Sequence, residues 1–154
     1  MQGEKNLVKR LAAVLLIFGL AFLAACGSDE PTTAPPVSLE LTATDIAFDT
    51  TRFEVMAGQP VRLTLNNEGA LTHDFSIMEM PLMGNVMSDE MEEEMPGHDM
   101  SSMAVEPEIH VAAAMNSSTT IEFTPSEPGE YTYFCTVAGH KEAGMMGTLV
   151  VQAP

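Results

Sequence analysis

The sequence predicts an all-β sandwich of seven or eight strands, on three observations. Apolar and polar residues alternate with period two in short runs, as in strands with one face buried. Turn signals separate those runs, and the helical period of 3.6 is nearly absent. Such a pattern of short strands buries its apolar faces by stacking one sheet on another.

In chain order, "SLELTATDIAF" alternates Leu39, Leu41 and Ala43 with polar neighbours. "TRFEVMAGQPVRLTLNNEG" repeats the pattern on either side of the turn Ala57-Gly58-Gln59-Pro60, with Phe53 and Val55, then Val61, Leu63 and Leu65, turned inward. "HDFSIM" continues as a strand, and strands resume at Ile109 to Val111, "STTIEFTP", "GEYTYFC" after the turn "PSEPG", and "GTLVVQ". There is no internal repeat.

The interruption from Glu79 to Glu108 differs in kind. It carries seven methionines, at 80, 83, 87, 91, 95, 100 and 103, among clustered acids. Met83, Met87, Met91 and Met95 fall at i, i+4 spacing, and Ser88 is placed to cap a helix whose first turn holds Asp89 and Glu90. A short acidic helix from Ser88 to Met95 is expected. Its methionines suit first of all adaptable apolar filler over the sandwich, with accessory copper binding and then contact with a partner as the alternatives.

The 154 residues suffice for one domain with a sizeable core. Residues 1–25 stand apart. Lys5, Lys9 and Arg10 precede an apolar run from Leu11 to Ala25, the pattern of an export signal, and that run is shorter than the roughly 20 residues of a spanning helix. It ends in Leu23-Ala24-Ala25-Cys26, which resembles the lipobox of bacterial lipoproteins and makes Cys26 the lipidation site. The alternative use of Cys26 is a disulfide to Cys135, since exported chains often pair their cysteines. Residues 26–37 read as a polar, proline-bearing tether, leaving 38–154 as the folded domain with the insertion at about 79–108. The protein is thus expected to be exported and held by lipid on a membrane, facing the periplasm or the cell exterior; more than one acyl chain is needed for stable anchoring.

Without residues 1–25 the chain keeps three basic against 21 acidic residues, a formal charge of −18. That charge excludes nucleic-acid binding and makes a basic protein the natural partner, though part of the acidity is confined to the insertion.

The chemistry-bearing stretch is "CTVAGHKEAGMMG", residues 135–147. A thiolate with imidazoles and a weak thioether describes the blue-copper electron-transfer site. Cys135, His140 and a methionine are present in the stretch, so a second imidazole must come from His73, His98 or His110. His73 is best placed, opening a strand after the loop "NNEGALT"; His98 lies in the acidic insertion and His110 inside a strand. The other reading of the loop is an apolar core without metal.

"NNEGALTHDF" followed by "GEYTYFCTVAGHKEAGMMGTLVV" resembles the cupredoxins, the type 1 blue copper proteins. Among them it is similar to the auracyanins, which share Cys-x4-His-x4-Met-x-Gly. Plastocyanins and halocyanins have a shorter Cys-to-His interval and the same His-x4-Met-x-Gly ending. The resemblance covers Val37 to Gln152 apart from the insertion, and implies a Greek-key sandwich holding one copper. It implies the ligands His73, Cys135, His140 and Met145, with Gly147 two residues after the axial methionine placing Met145 rather than Met146 in that position. Tyr131 resembles the family's corner tyrosine. Where many members have asparagine after the first histidine, this chain has Asp74, a carboxylate able to accept from Thr136 and expected to favour oxidised copper; Ala138 stands where relatives often carry proline.

The implied function is electron transfer between membrane-associated redox partners, such as a basic cytochrome or a component of an oxidase or reaction centre. His140 would pass the electron through an apolar patch of Val137, Ala138, Ala143 and Met146. Four protein ligands leave no open position for a substrate, which argues against an enzyme. One cysteine in the loop excludes a binuclear electron-transfer centre, and four histidines exclude a multicopper cluster. The competing function is copper handling, sequestering or delivering metal through the methionine-rich insertion.

Overall fold

The computed structural model describes residues 35–89 and 106–154. Ten strands and no helix make up these residues. The expected export segment, Cys26, most of the tether and His98 lie outside them.

One sheet has the order β2-β1-β4-β8-β6 and the other β3-β10-β9-β5-β7. The first comprises β1 (Val37–Thr44), β2 (Ala47–Phe48), β4 (Val61–Asn67), β8 (Ser118–Phe123) and β6 (Met87–Ser88). The second comprises β3 (Arg52–Met56), β10 (Met146–Gln152), β9 (Gly129–Phe134), β5 (His73–Ile77) and β7 (Ile109–Ala113). β1 runs parallel to β4 and β3 parallel to β10, while the remaining pairs are antiparallel. From β2 to β9 each strand lies in the sheet opposite the one before it, so the chain crosses repeatedly between layers, as a sandwich of this class requires.

Alternation decides which side chains meet between the sheets. Leu41, Ala43, Val61, Leu63, Leu65, Ile121 and Phe123 face inward from the first sheet, and Val55, Phe75, Ile77, Val111, Leu149 and Val151 from the second. Tyr133 lies at the centre, with its ring centroid 5.1 Å from that of Phe75 and 5.8 Å from those of Phe48 and Phe53. Each such aromatic pair contributes about 1 kcal/mol beyond its buried area. Its hydroxyl donates to Thr50 O at 2.6 Å, so the polar tip of this buried ring is satisfied. Burial holds the phenol well above its usual range, and the charge of Asp49 adds to the effect. Tyr131 donates to Glu127 O at 3.0 Å, four residues back, and closes the corner before β9 as its resemblance to the corner tyrosine implied.

The insertion begins differently from the expectation. Met80 is buried in the core, Leu82 bridges Pro125, and Met83 N donates to Thr124 O at 2.8 Å. Ser88, where the helix was expected to begin, lies in a strand: Met87 and Ser88 pair with Glu122 and Ile121, and Asp89 N donates to Thr120 O at 2.9 Å. The outer edge of β8 offers unpaired backbone groups, and Met87, Ser88 and Asp89 satisfy some of them. The rest of that expected helix lies outside the described residues. Met83 and Met87 are exposed, so of the insertion's described methionines only Met80 fills the core.

Candidate metal centre

Three strand ends converge at one end of the second sheet. β5 starts at His73, β9 ends at Phe134 just before Cys135, and β10 starts at Met146 just after Met145. Because β9 and β10 are antiparallel, with Phe134 opposite Met146, the loop 135–145 must turn back on itself at this end. Backbone hydrogen bonds close it: Cys135 N donates to Met145 O at 3.1 Å, Met145 N to His140 O at 2.9 Å, and His140 N to Val137 O at 3.0 Å. Gly139 and Gly144 take the positive φ values of 84° and 100° that the two bends demand.

Within this frame one ligand atom each from His73, Cys135 and His140 lie within 4.8 Å of one another. Cys135 Sγ is 3.9 Å from His73 Nδ1 and 3.6 Å from His140 Nδ1, and the two imidazole centroids are 5.1 Å apart. His73, Cys135 and Met145 are fully buried, whereas His140 keeps 6% exposure. Cys135 is a free thiol rather than half of a disulfide. His110 sits in β7, outside this group, as its place within a strand suggested.

The electrostatics suit a cation that is brought in rather than a charge already present. Burial pushes the Cys135 thiol up to about 12, and the neighbouring Asp74 carboxylate adds to it. Burial also lowers His73, as does the charge of His140, against smaller opposing effects of Asp74 and Asp45. Both shifts favour the uncharged forms of these two side chains. A soft cation bound there would displace the thiol proton. Buried thiol, two imidazoles and a thioether form a donor set that fits copper and suits hard cations poorly.

The chain matches the family described as the cupredoxin-like domain over residues 11–151. It belongs to the cupredoxins. The copper-resistant cuproprotein CopI of Pseudomonas aeruginosa is 27% identical, covering 92% of this chain and 96% of its own length. A plastocyanin of Synechococcus is also 27% identical, with 95% of each chain covered. Among solved structures, reduced auracyanin from Roseiflexus castenholzii superposes with a TM-score of 0.56 at 19% identity, over 77% of this chain and 99% of its own; that likeness shows the fold. His73, Cys135, His140 and Met145 are arranged as the type 1 copper site of this cupredoxin, and copper is its cofactor.

Glycines explain two features of the centre. A Cβ on Gly147 would collide with the Tyr133 ring directly across the strand pair and stand 2.7 Å from Thr51 O. The glycine two residues after Met145 is therefore a packing requirement of Tyr133, and it anchors the register that buries Met145 and leaves Met146 38% exposed. A Cβ on Gly69 would stand 2.7 Å from His73 Nε2, so this loop closes directly over the imidazole.

Asp74 ties the two ligand loops together as its position suggested. It accepts from Thr136 N at 2.9 and 3.1 Å and from Thr136 Oγ1 at 2.8 Å. The sequence reading missed Asn67, whose side chain donates to Leu71 O at 2.7 Å and Ala113 O at 2.8 Å and accepts from Gly69 N at 2.9 Å. Asn67 so buttresses the loop leading into His73; its inward place at the end of β4, where an apolar residue is due, is the signal that could have found it. Leu71 and Met115 were also missed. Both are exposed at the copper end, since Asn67 joins Leu71 to Ala113 and Ala113 pairs with His73. They add exposed apolar side chains at this end to the patch expected from Val137, Ala138, Ala143 and Met146.

Proposed function

We propose that this cupredoxin is a one-electron carrier whose copper is held by His73, Cys135, His140 and Met145. The observation that carries the reading is the convergence of three buried donor atoms within 4.8 Å beside a fully buried Met145. Copper in such a donor set cycles between Cu(I) and Cu(II), accepting and releasing one electron. The residues supply rigidity: backbone bonds fix the loop 135–145, Asp74 joins Thr136 to β5, and Asn67 braces the approach to His73. All four donors come from the chain, which favours electron transfer over turnover of a substrate.

His140 is the one imidazole of the pair with a solvent-facing edge, and the electron's passage is assigned to it. Exposed apolar side chains at this end suit a small contact that is quickly released. The acidic charge supports a basic redox partner, a cytochrome or a component of an oxidase or reaction centre. The export pattern of residues 1–25 and the lipobox-like Cys26 support a carrier anchored by lipid outside the cytoplasm.

A second reading, copper handling, is favoured by the similarity to CopI, a copper-resistant cuproprotein by name, and by the exposed thioethers of Met83 and Met87. Copper titration of the chain and of a variant lacking residues 90–105 separates the two. A carrier binds one tight copper per chain with intense blue colour in both proteins. Additional tight copper that disappears with the deletion would favour handling.

A further inference from the structure

Polar residues on the outer face of a sheet ordinarily meet water, yet Asp74 and Ser76, on the outer face of β5, are both fully buried. They belong to a chain of hydrogen bonds that starts at the copper ligand loop. Asp74 Oδ2 lies 3.6 Å from Cys135 Sγ and accepts from Thr136 Oγ1. Asp74 Oδ1 accepts from Thr136 N at 2.9 Å and from Ser76 Oγ at 2.9 Å. Ser76 Oγ is in turn 2.9 Å from His110 Nδ1. The register makes this last contact: Ser76 and His110 are directly opposed in the β5–β7 pair.

The direction of the chain follows from its donors. A carboxylate only accepts, so the serine proton points at Asp74, and Ser76 Oγ has acceptor capacity left for the ring. His110 therefore carries its proton on Nδ1 and donates to Ser76.

We propose that Ser76 and His110 are positioning residues of the copper centre, acting through Asp74 to set the reduction potential; this rests on Cys135 being a copper ligand. His110 fixes the rotor of Ser76. Ser76 then holds Oδ1 and draws carboxylate charge away from the sulfur, while Oδ2 stays turned towards it. Losing the Ser76 donor leaves more negative charge facing Cys135, which favours the oxidised metal.

The test uses the full chain loaded with copper, read by voltammetry and by the blue absorption. Ser76→Ala should lower the equilibrium constant for reduction about threefold, roughly 28 mV at 59 mV per decade. Ser76→Thr, which keeps the hydroxyl, should restore the potential, and so should His110→Asn, whose amide can replace the Nδ1 donor. His110→Phe should lower the potential alone and add nothing in the Ser76→Ala background, the non-additivity expected of one chain. In the copper-free protein, imidazole nitrogen shifts should show the Nδ1–H tautomer of His110. Unchanged potentials, additive effects or an Nε2–H tautomer would overturn the proposal while leaving the copper reading intact. A wild-type chain that develops no blue colour would overturn both.

Discussion

Two segments of this chain are rich in methionine, and Met145 in one is held in the opposite way to Met83 and Met87 in the other. In the loop 135–147, Met145 is fully buried, and its own N–H and C=O are both engaged, with His140 O and Cys135 N. Along the edge of β8, the backbone of Met83 and Met87 is held by the neighbouring strand, but their side chains are 58% and 63% exposed. One thioether is enclosed by the protein, whereas the other two stand in solvent. A site that must change little between two oxidation states needs the first arrangement, and a surface that meets metal or partners in passing can use the second.

The sharpest break between the segments is in stability. Met145→Ala opens a cavity in a closed pocket and should cost about 3 kcal/mol, with an altered blue spectrum, as measured by denaturant unfolding and absorption. Gly147→Ala should cost about 2 kcal/mol in the same unfolding experiment, since its Cβ has no room beside Tyr133 and the strands must shift. A cost near zero would mean that the register holding Met145 is looser than described.

Charge sharpens the contrast next. Asp74→Asn should raise the reduction potential by on the order of 100 mV, the effect of removing one buried negative charge at an effective dielectric constant of about 20; voltammetry showing no change or a fall would count against it. The copper-free protein should also lose stability above pH 9. Burial raises the Cys135 thiol from 9.0 to about 12. In that window the unfolded chain releases the proton while the folded chain keeps it, so stability falls as pH rises, by roughly 1.4 kcal/mol per unit. Chemical denaturation at pH 8 and pH 10.5 checks this, and Cys135→Ser should flatten that part of the dependence. At the small end, Met87→Ala should change stability by less than about 0.5 kcal/mol and leave the blue colour untouched.

Much of this contrast was legible in the sequence. Period-two alternation revealed the strands because each has one face in the core, and the run Cys135, His140, Met145, Gly147 is local enough to show the cupredoxin resemblance that picked Met145 over Met146. His73 was found by its place at the start of a strand after a loop. The edge strand at Met87 and Ser88 was not legible, because an i, i+4 spacing records only the local preference, and the open edge of β8 that captures the chain lies more than thirty residues further on. Asn67 and Ser76, and the contact of His110 with Ser76, were missed for a related reason: each depends on partners brought close by strand pairing. The burial of Asp74 and Ser76 on an outer face departs from the simple alternation by which Phe75, between them, faces the core.

Cys135 supplies the thiolate of a single copper site on this reading, and a Cu(II) titration followed by absorption is the decisive experiment. Intense blue colour should grow to an end point at one copper per chain and be absent from Cys135→Ser. Colour that survives in Cys135→Ser, or that never forms in the unaltered protein, would contradict the account.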